Sequence, residues 1–308
     1  MLCEYLKINM WLQFNILEKM TLTELKETCI FRYRNFNKNT RREVVNSEMW
    51  HSNIDGLNDP FEFPIVVNWD KKLHSKDKDT LAHYALKYNF LSSLELSKML
   101  IDHKNYGVDS IYRIIIENLE RLVIGLNDYI NNLLVCCFSK NMESPLMWSH
   151  YADGMRGVCI AYNRKSIENH ENFNLLPVVY NTHPIKFNED DIKTIKVIDE
   201  FKSFDFKNSE PILTDGRLIR LKSQKYFFQK HINWEYEGEV RNIVDLNKRR
   251  NGQLVSFPKS AINAIIIGYK ISEHNANRIL KFCKKNHLSM FVAYPDKSNY
   301  KVDFVKII

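Results

Sequence analysis

Residues 133–162, LLVCCFSKNMESPLMWSHYADGMRGVCIAY, decide the fold class of this chain. Leu133–Ser139 is an apolar run of strand length, and Val158–Tyr162 is a second one. Between them, Ser144 followed by Pro145 predicts the start of a short helix, because serine caps a first helical turn and proline suits its first position. A buried strand, a short helix and a second buried strand therefore form the centre of the predicted fold.

The segments on either side extend this pattern into an α+β fold. Residues 1–30 are expected to form a helical extension and residues 70–132 a helical insertion, because apolar residues recur there at helical spacing. A basic helix is expected over residues 217–231. The later segments are mostly strands, with a hairpin predicted around Asn251-Gly252. We therefore expect a single α+β domain over residues 1–308, with helices packed on its strands.

Composition is that of an ordinary globular protein. Hydrophobic residues make up 44% of the 308 residues and charged residues 26%, which excludes disordered and collagen-like chains. The formal charge of +7 permits an anionic partner such as RNA without proving one. The apolar runs are too short to cross a bilayer, so no membrane contact is expected. The six cysteines lack the spacing of a zinc site or a disulfide framework, so we expect no metal and a reducing cytoplasm.

Two closely spaced glutamates are the first candidates for chemistry. Residues 235–241 read EYEGEVR, and alternate residues of a strand share a face. Glu237, Glu239 and Arg241 are therefore expected on one side of a strand. Neighbouring carboxylates repel, which raises the pKa of one of them unless the arginine offsets the charge. The pattern indicates a cleft that handles a developing positive charge, or alternatively a solvated face with a surface ion pair.

The other candidates are basic, polar and aromatic side chains. Arg32 and Arg34 alternate on an early strand, where an arginine pair suits a phosphate or pyrophosphate, although charged residues also blunt an edge strand. Ser139 ends a strand and can point into a cleft. Trp148 and Tyr151 are one helical turn apart, so they either stack on a ring-shaped ligand or belong to the core.

These pieces combine, in chain order, into one specific pattern: FRYR at 31–34, LNDPFE at 57–62, FS at 138–139, MWSHYA at 147–152 and WEYEGEVR at 234–241. The pattern resembles a large bacterial family of unknown function, which is in turn similar to divergent ADP-ribosyltransferases, including toxins that modify RNA. The resemblance implies a split core of two small β-sheets with a cleft between them. It also implies cleavage of the nicotinamide–ribose bond of NAD and transfer of ADP-ribose to RNA or protein.

The same resemblance implies roles for the candidate residues. Glu239 would be the central catalytic carboxylate, Glu237 would help to activate the acceptor, and Tyr151 would complete the catalytic set. The residues expected to bind NAD are Arg32, Arg34, Ser139, Trp148 and Asn58. Asn58 belongs to the NDPFE turn.

Bacterial proteins of this kind act as toxins or phage-defence effectors, some of them beside an antitoxin. We therefore expect a cytoplasmic enzyme with an antitoxin or chaperone as protein partner and RNA as one candidate target, which the basic run 247–250 would suit. The alternative is a non-enzymatic binding module, in which the strand of Glu237, Glu239 and Arg241 is an ion-pair network that fixes the fold. A nucleotide or RNA hydrolase that acts without NAD is a third hypothesis.

Overall fold

The computed structural model describes residues 21–63, 66–67, 76–102, 107–184, 186–187, 227–245 and 251–308. The chain is a mixed α+β fold over these ranges, as the sequence predicts. Its helices are α1 (Leu22–Thr28), α2 (Lys38–Asn46), α3 (Lys78–Lys87), α4 (Ser93–Ile101), α5 (Val108–Asn131), α6 (Pro145–His150), α7 (Arg164–Glu168) and α8 (Glu273–Asn286). Short 3₁₀ helices cover Ile54–Gly56, Ile232–Glu237 and Lys259–Ala261.

The strands complete the element order. They are β1 (Cys29–Arg34), β2 (Glu48–Ser52), β3 (Val66–Val67), β4 (Leu133–Ser139), β5 (Val158–Asn163), β6 (Leu175–Pro177), β7 (Val179–Asn181), β8 (Lys186–Phe187), β9 (Gln229–His231), β10 (Glu239–Asp245), β11 (Gly252–Ser256), β12 (Ile262–Gly268), β13 (Ser289–Asp296) and β14 (Lys301–Lys306). The strands predicted at β1 and β4 are confirmed with these bounds, because both are short apolar runs that end in polar residues.

Ten of the strands form one mixed sheet. Its main path runs β11-β2-β4-β1-β5-β12-β13-β14, and β10 pairs with β4 and with β6. Strands β12 and β13 are parallel, and the connection between them contains α8, as a parallel crossover requires. Strands β3 and β8, and strands β7 and β9, form two small sheets.

The large sheet opens between β1 and β4. Strand β1 meets β4 at the pair Phe31 and Ser139, and β2 meets β4 at the pair Ser52 and Val135. The edge of β4 between these two pairs borders a cavity that is lined by Cys136, Cys137 and Phe138. Among the described residues the large sheet is therefore continuous around this opening, and the two separate small sheets with a cleft between them that the resemblance implied are not confirmed.

The predicted hairpin around Asn251-Gly252 is wrong. Strand β11 pairs with β2 along Gly252–Ser256, while β10 pairs with β4 and β6, so turn residues alone did not identify the partner strand. The helix predicted over 217–231 is also wrong at its end, where residues 229–231 form β9. Residues 217–226 and the basic run 247–250 lie outside the described residues.

Helices α3, α4 and α5 lie within the range predicted for the helical insertion. They surround an apolar cluster of their own, which includes Leu81, Leu96, Ile111, Ile115 and Leu119. The predicted N-terminal extension falls outside the described residues up to residue 20, and α1 follows with a capping box between Thr21 and Glu24. No described helix is long and apolar enough to cross a membrane.

Candidate functional site

A tight turn, rather than a strand face, brings Glu237 and Glu239 together. Glu237 ends the 3₁₀ helix Ile232–Glu237, and Glu239 begins β10. Gly238 between them adopts a left-handed conformation with φ 50° and ψ 47°, which glycine adopts without steric cost. The Ser139 hydroxyl donates a hydrogen bond of 2.6 Å to the Glu237 carbonyl, so the end of β4 holds this turn in place.

Glu239 and Arg241 form a buried ion pair on one face of β10. The Arg241 Nε atom donates to Glu239 Oε1 at 2.6 Å, and Nη2 donates to Oε2 at 3.0 Å. The side chains are 3% and 0% exposed. Burial alone would raise the pKa of Glu239, but the positive charges of Arg241 and Lys230 lower it to about 2. The carboxylate is therefore ionised near neutral pH, and the surface ion pair considered from sequence is instead a buried one.

Lys230 connects three carboxylates. Its Nζ atom lies 2.6 Å from Glu237 Oε2, 3.3 Å from Glu239 Oε2 and 3.5 Å from Glu62 Oε1. The ammonium group also lies 4.6 Å from the centre of the Trp234 ring. Burial opposes the charged form, but the surrounding carboxylates outweigh it and raise the pKa of Lys230 above its ordinary value. Lys230 therefore remains positively charged.

Glu62 brings the NDPFE turn into the same cluster. Its Oε1 atom accepts a 2.8 Å hydrogen bond from Arg241 Nη2, whereas its buried Oε2 atom has no hydrogen-bond partner among the described residues. Burial raises the pKa of Glu62, and Arg241 only partly offsets that effect. When Glu62 is ionised, three carboxylates face the two cations Lys230 and Arg241, so this end of the site carries a net negative charge.

Tyr151 and Asn58 orient Glu237. The Tyr151 hydroxyl donates to Glu237 Oε1 at 2.5 Å, and the Asn58 side-chain amide donates to the Tyr151 oxygen. Burial and the adjacent Glu237 carboxylate raise the pKa of Tyr151, so the phenol remains a proton donor. The predicted residues Asn58, Tyr151 and Glu237 thus form one hydrogen-bonded chain.

Arg32 and Arg34 share one carboxylate, Glu43. Arg32 Nη1 lies 2.8 Å from Glu43 Oε1, and Arg34 Nη2 lies 3.0 Å from Glu43 Oε2. The Tyr162 hydroxyl also donates to Glu43 Oε1 at 2.7 Å. Arg32 is buried, whereas the Arg34 side chain is 32% exposed. Two guanidinium groups and one carboxylate give this end of the site a net positive charge.

One cavity of about 310 Å³ joins the negative and positive ends. It lies where the sheet opens between β1 and β4. Seven predicted residues line it, namely Arg32, Arg34, Asn58, Ser139, Tyr151, Glu237 and Glu239. A second cavity of about 530 Å³ borders the first and shares Tyr33, Arg34, Trp50 and Tyr151 with it. Both volumes fall in the range of small-molecule sites.

Trp148 lies in the core and not in either cavity. Its side chain is fully buried, its Nε1 atom donates to the Met142 carbonyl at 2.9 Å, and its ring meets Tyr33 edge to face at 5.3 Å. Tyr151, the residue after α6, lines the cavity instead. The expectation that Trp148 stacks on NAD is therefore corrected, because α6 turns the indole into the apolar core beside the sheet.

Four polar residues of this region were not singled out from the sequence: Glu43, His51, Glu62 and Lys230. Glu62 could have been found from the sequence, since it belongs to the NDPFE segment. The other three had no distinctive spacing. His51 is fully buried, and its Nε2 atom lies 2.9 Å from the Asn242 amide nitrogen. Burial lowers the pKa of His51 to about 3, so its ring is neutral.

One family model matches part of the chain. Residues 147–242 match the family model described as "Protein of unknown function (DUF2971)". The matched segment includes Tyr151, Lys230, Glu237, Glu239 and Arg241. No curated protein and no solved structure matched the chain. No cluster of three or more metal-ligating side chains occurs among the described residues.

Proposed function

We propose that the chain is an NAD-dependent ADP-ribosyltransferase that acts on RNA or protein. One observation carries this proposal, namely that a single 310 Å³ cavity is lined by the carboxylates Glu237 and Glu239 at one end and by the arginines Arg32 and Arg34 at the other. NAD has matching chemistry, because its pyrophosphate is negative and its nicotinamide ribose develops positive charge as the glycosidic bond breaks. The opening of the sheet between β1 and β4 would correspond to the cleft of an ADP-ribosyltransferase core.

Glu239 is the carboxylate assigned to the developing positive charge. Its pKa of about 2 keeps it ionised, and the fork from Arg241 fixes its orientation. A fixed carboxylate that faces a developing cation stabilises the transition state more than the ground state. Glu237, and Glu62 when it is ionised, lie beside Glu239 and add to this stabilisation.

Glu237 is the carboxylate assigned to the acceptor. Tyr151 contacts it and lines both cavities, so an acceptor in the second cavity would approach Glu237 from the side of Tyr151. In this scheme the bond between nicotinamide and ribose breaks, and a bond forms from the ribose carbon to an acceptor oxygen or nitrogen. The proton of the acceptor passes to Glu237, and nicotinamide leaves.

Arg34 is the better candidate of the two arginines for the pyrophosphate. It is partly exposed and lines both cavities, whereas Arg32 is buried against Glu43 and Phe138. Arg32 would then act mainly by holding Glu43, and through it the guanidinium of Arg34. The shared carboxylate fixes the guanidinium in advance, which lowers the entropic cost of binding a phosphate.

The binding-module hypothesis remains the second candidate, and a specific observation favours it. Both oxygens of Glu239 and both oxygens of Glu237 already have partners inside the protein. Such a saturated network can serve to hold the β9 segment, the 3₁₀ helix and β10 together. In that case the cavity would bind a ligand or partner without reacting with it.

The test is to incubate purified protein with NAD labelled in its adenylate half, and to add total RNA or lysate protein in separate reactions. The proposal predicts nicotinamide release, with label appearing in the RNA fraction or in the protein fraction. The acceptor class is the fraction that gains label. A folded protein that releases no nicotinamide in any mixture, but still binds NAD, would favour the binding module. A toxin or phage-defence role, with an antitoxin or chaperone partner, would follow only from a positive result.

A further inference from the structure

In the second cavity each arginine of the lining is paired with a carboxylate of the same lining, whereas in the first the arginines and the carboxylates line opposite ends. Arg34 is paired with Glu43, and Arg42 with Glu48, the latter at 3.1 Å between Nε and Oε2. Each cation that lines the cavity therefore faces a carboxylate that also lines it. Because these charges are already paired and equal in number, the part of the cavity beyond Arg34 suits a neutral group.

An aromatic ring stands at this cavity with much of its surface exposed. Trp50 on β2 is 44% exposed, although large apolar side chains are usually buried. The ring is held from one side, because a Cβ atom at position 252 would collide with it and only Gly252 leaves room. A positioned and exposed indole is a surface on which a flat ring can stack.

Amide groups complete the lining. Asn35, Asn37 and Asn39 all border the cavity. The Asn37 oxygen caps α2, whereas the side-chain amides of Asn35 and Asn39 make no hydrogen bond that the structure records among the described residues. Asparagine offers both a donor and an acceptor, which is the pattern needed to read the edge of a heterocyclic base.

We infer that the 530 Å³ cavity is a subsite for a nucleobase, which stacks on Trp50 and hydrogen-bonds to the asparagine amides. A neutral, flat group with donors and acceptors on its edge meets all three features of the lining. The base can belong to the adenylate of NAD, since Arg34 links this cavity to the proposed pyrophosphate site. It can also belong to an acceptor strand, since Tyr151 links the cavity to Glu237. The inference rests on the proposed function for this context, but its test does not need NAD cleavage.

The test compares AMP with ribose 5-phosphate, which lacks the base, by calorimetric titration of wild type, Trp50→Ala and Trp50→Phe. Stacking on an aromatic side chain contributes enough to change affinity about tenfold or more. Wild type should bind AMP about tenfold more tightly than ribose 5-phosphate. Trp50→Ala should lose that preference, and Trp50→Phe should keep most of it. Tyr300→Ala removes an exposed aromatic ring outside both cavities and should change nothing.

Equal affinity of wild type for AMP and ribose 5-phosphate would overturn the inference, and so would a Trp50→Ala variant that keeps the preference.

Titrations with NAD, nicotinamide mononucleotide and a short single-stranded RNA then identify the source of the base. If Trp50→Ala loses affinity for NAD but not for RNA, the subsite belongs to the adenylate. If it loses affinity for RNA but not for NAD, the subsite belongs to the acceptor. If AMP binding depends on Trp50 but no nicotinamide is released, the base subsite stands and the proposed function fails.

Discussion

Arg241 holds both carboxylate oxygens of Glu239 from two residues away on the same strand. This buried pair changes how a substitution at Glu239 must be interpreted. Such a substitution has two measurable effects, namely a loss of stability, which a structural role predicts, and a loss of turnover, which a catalytic role predicts. Because the pair is buried, Glu239→Gln should lower stability under both the transferase hypothesis and the binding-module hypothesis. Only a measurement of nicotinamide release by folded protein therefore separates the two.

We predict that Glu239→Gln lowers the free energy of unfolding by about 3 kcal/mol, because one partner of a buried ion pair loses its charge. Urea denaturation followed by circular dichroism measures this change. The matched control is Glu168→Gln, which removes a partly exposed carboxylate paired with Arg164 and should cost less than about 1 kcal/mol. Equal effects of the two substitutions would contradict the buried pair.

We predict that stability falls between pH 6.5 and about 3 because of His51. Its pKa is lowered to about 3 in the folded protein, so the unfolded chain binds the proton first as the pH falls. Folding is therefore fully favoured by this group above pH 6.5 and loses its contribution towards pH 3. Glu239, with a pKa lowered to about 2, adds a second loss below about pH 4.5. Glu62, whose pKa is raised, takes up a proton in the folded state first as the pH falls towards 4.5, so it opposes the His51 effect above that pH.

His51→Gln tests the first of these windows, since glutamine keeps a hydrogen-bonding group near Asn242 but does not titrate. The free energy of unfolding of this variant should depend less on pH between 6.5 and 4.5 than that of wild type. Parallel curves for the two proteins over this window would show that His51 is not the neutral, buried group described above.

Trp148 and Tyr151 should behave differently when substituted. Trp148→Phe should lower stability by about 1–3 kcal/mol, because it leaves a cavity and an unpaired Met142 carbonyl. It should leave the affinity for NAD unchanged. A large loss of NAD affinity in Trp148→Phe would place the indole in the site after all.

Tyr151→Phe should fold normally and lower the rate of nicotinamide release about tenfold, since Glu237 loses a hydrogen bond.

Ser139→Ala should lower activity more than stability. Its hydroxyl holds the Glu237 carbonyl at 2.6 Å, so its loss frees the turn that contains Gly238. We expect a stability loss of about 1 kcal/mol and a larger relative loss of nicotinamide release. Ser139→Thr, which keeps a hydroxyl, is the conservative comparison. Full activity in Ser139→Ala would exclude a positioning role for this residue.

Local signals in the sequence predicted much of the fold. The apolar run at β4 and the Ser144-Pro145 start of α6 are both confirmed, since each depends on neighbouring residues only. The pairing of β11 with β2 was missed, because a strand's partner depends on the whole sheet and not on its turn.

The site was predicted only in part, because local motifs identify some of its residues and the packing of distant segments supplies the others. The quoted motifs contain Glu237, Glu239, Tyr151 and Ser139, which the fold brings to one cavity. Lys230 was missed because it lies in a short strand inside a segment expected to be helical. Glu43 was missed because only the packing of α2 against β1 reveals that one carboxylate serves both arginines.

The most direct test of the account is nicotinamide release from NAD by wild type and by Glu239→Gln, at a temperature where circular dichroism shows both to be folded. We predict steady release by wild type, and at least a hundredfold slower release by the variant, since preorganised electrostatic groups contribute on that scale. Equal rates, or no release by folded wild type with RNA and lysate protein present, would contradict the assignment of Glu239 and of NAD chemistry to this cavity.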